Sequence, residues 1–176
     1  MQSQSPHLTA EMQRVLAAAQ TEAARRHGIY VDIEHLALGE GLHDVRPEHL
    51  ALALLNETAG PARDILADAG ADRRALYEQI ADSVGMERSA PIEVKDLSRA
   101  ARQALQTALD VARSLNQGAV NSGHLLVALL ESGEGVVREA LASSPVSASA
   151  AREYLRAHPE AGDPPPQAAP RVGSRP

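Results

Sequence analysis

A glutamate followed directly by a histidine occurs twice in the first third of the chain, as Glu34-His35 and Glu48-His49. A third histidine, His124, has similar aliphatic residues after it but follows Gly123. A carboxylate next to an imidazole could bind a metal ion, transfer protons or receive a cationic ligand group. Because an apolar run follows each histidine, we expect helix starts here, where unpaired backbone N–H groups stabilise a carboxylate. Helix capping alone would explain both glutamates, and binding of a cation is the functional alternative.

The same region holds the densest group of possible metal ligands in the sequence. Its histidines are eight and six residues apart, with glycines and a proline between them, whereas helical zinc sites favour two ligands at i and i+4. No serine lies in a Gly-x-Ser-x-Gly turn. We therefore expect no metal, no cofactor and no catalysis, with a metal-dependent hydrolase as the disfavoured alternative, and we expect His49 and His124 to be partly buried and hydrogen-bonded. The group comprises Glu34, His35, Glu40, His43, Asp44, Glu48 and His49.

The histidine motifs belong to a longer internal repeat. At an offset of 89 residues, Leu8, Thr9, Leu16 and His35 fall on Leu97, Ser98, Leu105 and His124. At an offset of 75 residues, His49, Gly60, Arg63 and Leu66 fall on His124, Gly135, Arg138 and Leu141. The offsets differ by 14, which is also the spacing from His35 to His49. The first repeat therefore carries a 14-residue tandem insertion near 31–48, which is either a surface excursion or a reshaped ligand groove.

Helical periodicity predicts an all-α fold of two pseudo-symmetric four-helix repeats. Thr9 and Ser98 are placed to cap the first helices, which should reach about Arg26 and Leu115. Compact apolar helices from Glu48 to Leu55 and from His124 to Leu130 should be central in their repeats. The third helices begin at Gly60 and Gly135, and the fourth span Asp72–Val84 and Ser147–Ala157. The predicted divisions are a disordered N-terminus (1–7), the first repeat (8–84), a linker (85–96), the second repeat (97–157) and a Pro-rich disordered tail (158–176).

Composition narrows the functional classes. The chain of 176 residues contains no Cys, Phe or Trp and only three Tyr, so its core must be aliphatic and thiolate chemistry is excluded. Its net charge of -6 and single lysine, Lys95, argue against nucleic-acid binding, which requires clustered basic residues. No apolar run approaches the length of a membrane span or a signal peptide. We expect a cytoplasmic protein that binds neither nucleic acid nor membranes.

Several of these residues carry a resemblance to a known family. They are Leu8-Thr9, the segment Tyr30-Val31-Asp32-Ile33-Glu34-His35-Leu36, and Gly60 with Arg63 and Leu66, together with their second-repeat counterparts. Over residues 8 to 157 the chain resembles the Clp amino-terminal domain, a double four-helix module of AAA+ unfoldases such as the ClpA and ClpC proteins. The sequence contains no Gly-x-x-x-x-Gly-Lys-[Ser/Thr] loop for nucleotide phosphates. It therefore looks like a free-standing member without ATPase domains.

The resemblance implies a non-catalytic binding module of the Clp proteolysis system. Such a module would capture a peptide or protein substrate, a degradation tag or a Clp-directed antibiotic, for delivery or sequestration. The alternative is a regulator that docks on a Clp ATPase or adaptor. In ClpC-type members the Glu of each Thr-Glu-His motif helps to bind phosphorylated arginine; here Glu34 and Glu48 both remain candidates, and Gly123 replaces the second Glu. The implied ligand-binding residues are Glu34, His35, Glu48, His49, Ser122 and His124.

Overall fold

The computed structural model describes residues 6–26, 45–84 and 97–159. Within these ranges the chain forms eight helices and two very short strands. This confirms the predicted all-α class and the two repeats of four helices. The elements are β1 (His7–Leu8), α1 (Ala10–Arg25), α2 (Pro47–Asn56), α3 (Pro61–Asp68), α4 (Arg73–Val84), α5 (Arg99–Ser114), β2 (Ala119–Val120), α6 (Ser122–Ser132), α7 (Gly135–Ala142) and α8 (Ala148–Ala157).

The first helix of each repeat begins at a buried hydroxyl cap, as the sequence predicts. The Thr9 hydroxyl accepts a hydrogen bond from the Met12 N–H at 3.1 Å, and the Ser98 hydroxyl accepts one from the Ala101 N–H at 3.0 Å. Both cap residues are 1% exposed. Each cap satisfies a backbone donor that burial keeps from water, and thereby sets where the helix starts.

The central position predicted for the apolar helices is also confirmed. Every residue from His49 to Leu55 in α2 is buried, as is every residue from Ser122 to Leu129 in α6. In the first repeat α2 packs against α1 and α4, and in the second α6 packs against α5 and α8. These two helices form the middle of one continuous aliphatic core.

Two short parallel backbone pairs connect the two repeats. Leu8 lies opposite Val120 in the parallel pair of β1 and β2, and Val45 forms a parallel bridge with Leu97. At the repeat offsets, Leu8 corresponds to Leu97 and Val45 corresponds to Val120. Each repeat's entry to its first helix therefore pairs with the other repeat's entry to its central helix. This reciprocal arrangement joins the repeats into one module.

The first helices are buried mainly through small side chains. Leu16 in α1 and both Leu105 and Leu109 in α5 are only partly buried, whereas Ala104 and Val111 are buried in α5. Small side chains at the contact allow these helices to approach α2 and α6 closely, and the larger leucines lie at the edges of the interface. Three predicted segments lie outside the described residues: the first part of the insertion, the linker 85–96 and the tail beyond residue 159.

Candidate functional site

The two central helices begin in the same way, with an imidazole as part of the cap. The His49 Nδ1 atom accepts a hydrogen bond from the Arg46 N–H at 2.9 Å, and the His124 Nδ1 atom accepts one from the Asn121 N–H at 3.0 Å. The two helix starts are therefore structurally equivalent. It follows that Glu48 occupies the position in the first repeat that Gly123 occupies in the second. Glu34 and His35 lie outside the described residues.

Both imidazoles are buried and neutral, which confirms the structural role expected for them. His49 is 6% exposed and His124 is 0% exposed, and burial lowers the pKa of each to about 4. Since Nδ1 of His124 accepts, its Nε2–H donates to the Gln117 Oε1 atom at 2.6 Å. The Gln117 amide donates in turn to the Leu155 carbonyl at 2.7 Å, which ties α6 to α8. In this arrangement both imidazoles stabilise the fold, and a ligand would have to displace these contacts to reach them.

Ser122, the hydroxyl candidate of the second repeat, is completely buried and joins the two repeats. Its hydroxyl oxygen accepts a hydrogen bond from the Ala62 N–H at 3.1 Å, in the first turn of α3. Its own N–H donates to the Glu11 Oε2 atom at 3.1 Å. The residue is thus occupied by contacts to two elements of the first repeat.

Glu48 differs from the other described candidates because its side chain is only partly buried. It lies in the first turn of α2, and its Oε2 atom is shielded from solvent without a hydrogen-bond partner in the described part of the chain. A shielded carboxylate oxygen without a donor is costly, and a cationic donor would satisfy it. Among the described candidates, Glu48 is the one that is partly exposed and has a carboxylate oxygen without a donor.

The second repeat has no room for the equivalent side chain. A Cβ atom added at Gly123 would lie 2.7 Å from the Leu155 Cδ2 atom and 3.0 Å from the Pro61 Cβ atom. The glycine therefore permits close packing of α6 against α8 and α3. The two repeats share a backbone, but only the first presents a carboxylate at this helix position.

Glu11 is the residue that sequence reasoning missed. A glutamate in the first turn of a helix is normally solvated near the positive helix end, yet Glu11 is 4% exposed and its carboxylate lies against Gly60, where an added Cβ would collide with it. Burial raises the pKa of Glu11, and the hydrogen bonds from Ser122 partly offset that effect. The available signal was the difference between the repeats, since the position of Glu11 holds Ala100 in the second.

The region around Ala100 forms an open cleft of about 50 Å³. Several of its lining residues correspond, at the repeat offsets, to residues around Glu11: Ala100 to Glu11, Pro47 to Ser122, Gln103 to Arg14 and Ser132 to Glu57. In the first copy the carboxylate of Glu11 is buried there, and the Arg14 guanidinium lies 3.4 Å from the Glu57 carboxylate beside it. The same structural location is thus filled in one copy and open in the other. The cleft is lined by Pro47, Ala100, Gln103, Ala104, Leu129, Ser132, Gly133 and Glu134.

Other site chemistry is limited in the described part of the chain. No three His, Asp or Glu residues come together there in a way that could hold a metal ion. Of the sequence cluster, only Glu48 and His49 lie within the described ranges, and Glu34, His35, Glu40, His43 and Asp44 lie outside them. No helix within those ranges is long and apolar enough to cross a membrane.

Two interlocked four-helix repeats with capped, buried central helices define a class of small all-α, two-repeat modules. Comparison with known families gives the same class. The chain belongs to the Clp repeat (R) N-terminal domain family, whose model matches residues 36–95 and 96–171.

Individual relatives agree with that assignment. The chain is 28% identical over 147 residues both to the chaperone protein ClpB of Oceanobacillus iheyensis and to the negative regulator of genetic competence ClpC/MecB of Bacillus subtilis. Each alignment covers 84% of this chain and 16% of the relative, so the chain spans about a sixth of those proteins.

Solved structures share the fold at lower identity. A chain from structural investigations of a malarial protein secretion system is 17% identical, with a TM-score of 0.67 over 87% of this chain and 95% of that one. The Hsp104 N-terminal domain from Candida albicans is 15% identical, with a TM-score of 0.56 over 84% and 88%. At this identity the likeness supports the fold alone.

The buried histidines predict a loss of stability in acid. An unfolded histidine takes up a proton near pH 6.5, but folded His124 resists protonation until about pH 4. The free energy of unfolding should therefore fall as the pH drops from about 6.5 to about 4, by up to about 3 kcal/mol per histidine. Urea denaturation at a series of pH values measures this loss.

The matched variant for this experiment is His124→Asn, which keeps an acceptor near the Nδ1 position but does not titrate. Its stability should depend less on pH over the same interval, although it is less stable at pH 7. Parallel pH profiles for the two proteins would show that His124 does not remain neutral in the folded state.

The contact between Glu11 and Gly60 predicts an unequal response of two glycines. Gly60 and Gly135 both have positive φ, of 116° and 56°, but an added Cβ meets Glu11 only at Gly60 and open space at Gly135. Gly60→Ala should cost about 1–3 kcal/mol more than Gly135→Ala in chemical denaturation, and the part of this excess that is due to the contact rather than to the φ of 116° should be lost in a Glu11→Ala background. Equal losses would mean that Glu11 does not confine Gly60.

Proposed function

We propose that this Clp N-terminal-domain module is a non-catalytic receptor that captures a cationic side chain of a peptide or protein at the start of α2. The observation that carries the proposal is the partly exposed side chain of Glu48, whose Oε2 atom is shielded and has no donor among the described residues, so that a ligand would reach this atom after a change of the side-chain rotamer. A guanidinium group suits this position because it presents several N–H donors in a planar fork to a carboxylate.

The surroundings of α2 favour a cation over an anion. Pro47 has no N–H to offer an anion at the first position of the helix, and Glu134 supplies a carboxylate to the cleft that Pro47 also lines. The chain as a whole carries a net charge of -6, which attracts basic segments at a distance. The proposed ligands are arginine-containing segments of proteins directed to Clp proteolysis in the cytoplasm. Segments marked with phosphoarginine present the same guanidinium with an added anionic phosphoryl group, and the titration below compares the two.

A single site of this kind is proposed for each chain. Glu48 has no carboxylate counterpart in the second repeat, where Gly123 is packed against Leu155. Glu34 provides the other sequence candidate for the same role, so both glutamates enter the test.

The first test is a titration of the purified protein with two fluorescent peptides of the same sequence, one containing arginine and one phosphoarginine. We expect one bound peptide per chain. Loss of one charge-assisted contact is worth about 1.5–3 kcal/mol, so Glu48→Gln should weaken binding by roughly 10- to 100-fold. Glu78→Gln is the matched control, because Glu78 is an exposed helical carboxylate on α4.

Three results would count against the proposal. They are the absence of binding to either peptide, equal affinity in wild type and a Glu34→Ala, Glu48→Ala double variant, and an equal loss in the Glu78→Gln control. Stoichiometric recovery of a Clp ATPase or adaptor from lysate, unaffected by the double variant, would instead favour the docking regulator.

A second prediction concerns the packing of Gly123. Gly123→Glu should not create another binding site, because the side chain would have to displace Leu155. We expect a loss of about 1–3 kcal/mol in the free energy of unfolding from overpacking, with unchanged peptide stoichiometry. Calorimetric titration that gave two peptides per chain would contradict this prediction.

A further inference from the structure

We propose that Glu11 is an intramolecular occupant of a carboxylate-binding site formed where α3 and α6 begin, and that it keeps this site closed to external ligands. Glu11 comes from α1 of the first repeat, whereas α6 belongs to the second. The side chain thus crosses from one repeat to the helix start of the other. The inference does not depend on Glu48 or on the ligand proposed for it.

The first argument is the set of contacts that the carboxylate makes. Its Oε2 atom receives the Ser122 N–H at 3.1 Å, at the first residue of α6. The Ser122 hydroxyl receives the Ala62 N–H at 3.1 Å, in the first turn of α3. The carboxylate is thereby linked to the positive ends of two helices, a location that favours an oxyanion.

The second argument is burial without full satisfaction. Glu11 is 4% exposed, and its Oε1 atom has no hydrogen-bond partner in the described residues. A residue selected for stability alone would be apolar here, since a shielded oxygen without a donor costs free energy. Gly60, with no side chain, leaves the space that this oxygen fills. The carboxylate therefore fills a space beside Gly60 in which only one of its two oxygens has a donor among the described residues.

The third argument comes from the other repeat. There Ala100 takes the place of Glu11, and an open cleft of about 50 Å³ takes the place of the buried carboxylate. The backbone framework accordingly exists with and without an occupant. Pro47 takes the place of Ser122 in that copy and has no N–H, so the open cleft lacks the donor that holds the carboxylate in the filled one.

Removing the Glu11 side chain should therefore produce a vacant site that still contains its donor. Glu11→Ala reproduces the alanine found at position 100 while keeping Ser122. The ligand class for the vacated site is a small carboxylate, and formate is the smallest probe. Chloride at equal ionic strength separates carboxylate binding from general effects of salt.

The experiment is a thermal melting series in sodium formate and in sodium chloride. The melting temperature of Glu11→Ala should rise with formate in a saturable way, by about 3–6 °C when formate exceeds its Kd tenfold. Wild type should show no such rise. Glu11→Gln should show none either, because its carboxamide fills the same space.

Two outcomes would overturn the inference. One is an identical response of Glu11→Ala and wild type to formate. The other is a formate response in Glu11→Gln as large as that in Glu11→Ala. If Glu11→Ala is unfolded in chloride, recovery of helical circular dichroism in formate supports the inference, and failure to recover in formate overturns it.

Discussion

The structure depends on satisfying the first backbone N–H groups of two helices that are buried on nearly every side. Water has little access to these donors, and an unpaired donor in an aliphatic core costs about 1–3 kcal/mol, comparable to what the burial of one leucine gains. An imidazole solves this problem in both repeats, because its Nδ1 atom receives the backbone N–H at the cap position. The requirement explains why both histidines are neutral: a protonated ring could not accept that hydrogen bond.

The backbone around these caps follows the same constraint. The residue just before each cap segment, Val45 or Val120, pairs with the entry to the other repeat's first helix. Neither central helix start is therefore complete without its partner repeat. An approximate two-fold relation results, in which the two halves support each other at equivalent points.

Local rules were sufficient for the caps and for much of the helical pattern. The caps at Thr9 and Ser98 and the span of α4 followed from periodicity and hydrogen-bonding chemistry within a few residues. The choice between Glu34 and Glu48 did not, because the tandem duplication gives both the same local sequence. The structure has a central helix that starts at Pro47, directly after Val45 pairs with Leu97. Leu97 is 52 positions away along the chain, so this contact is outside the reach of local sequence rules.

The burial of Glu11 could not be predicted from nearby residues either, because distant residues bury it. An acidic residue in a first helical turn is normally solvated, and nothing within α1 indicates otherwise. Its environment is supplied by Gly60 and Ser122, of which the latter is 111 residues away. The partly exposed leucines of α5 have the same origin, since the helices that pack against it determine which side faces inward.

The need to satisfy the helix starts also distinguishes the residues required for folding from those available for binding. Both copies need the imidazole, the aliphatic core and the paired backbone, and both have them. The fold does not require the carboxylate of Glu48 or that of Glu11, because the other repeat folds with Gly123 and Ala100 in their places. Residues that one copy of a repeated fold can omit are free to be selected for binding. The differences between the repeats are thus better guides to function in this chain than the features that they share.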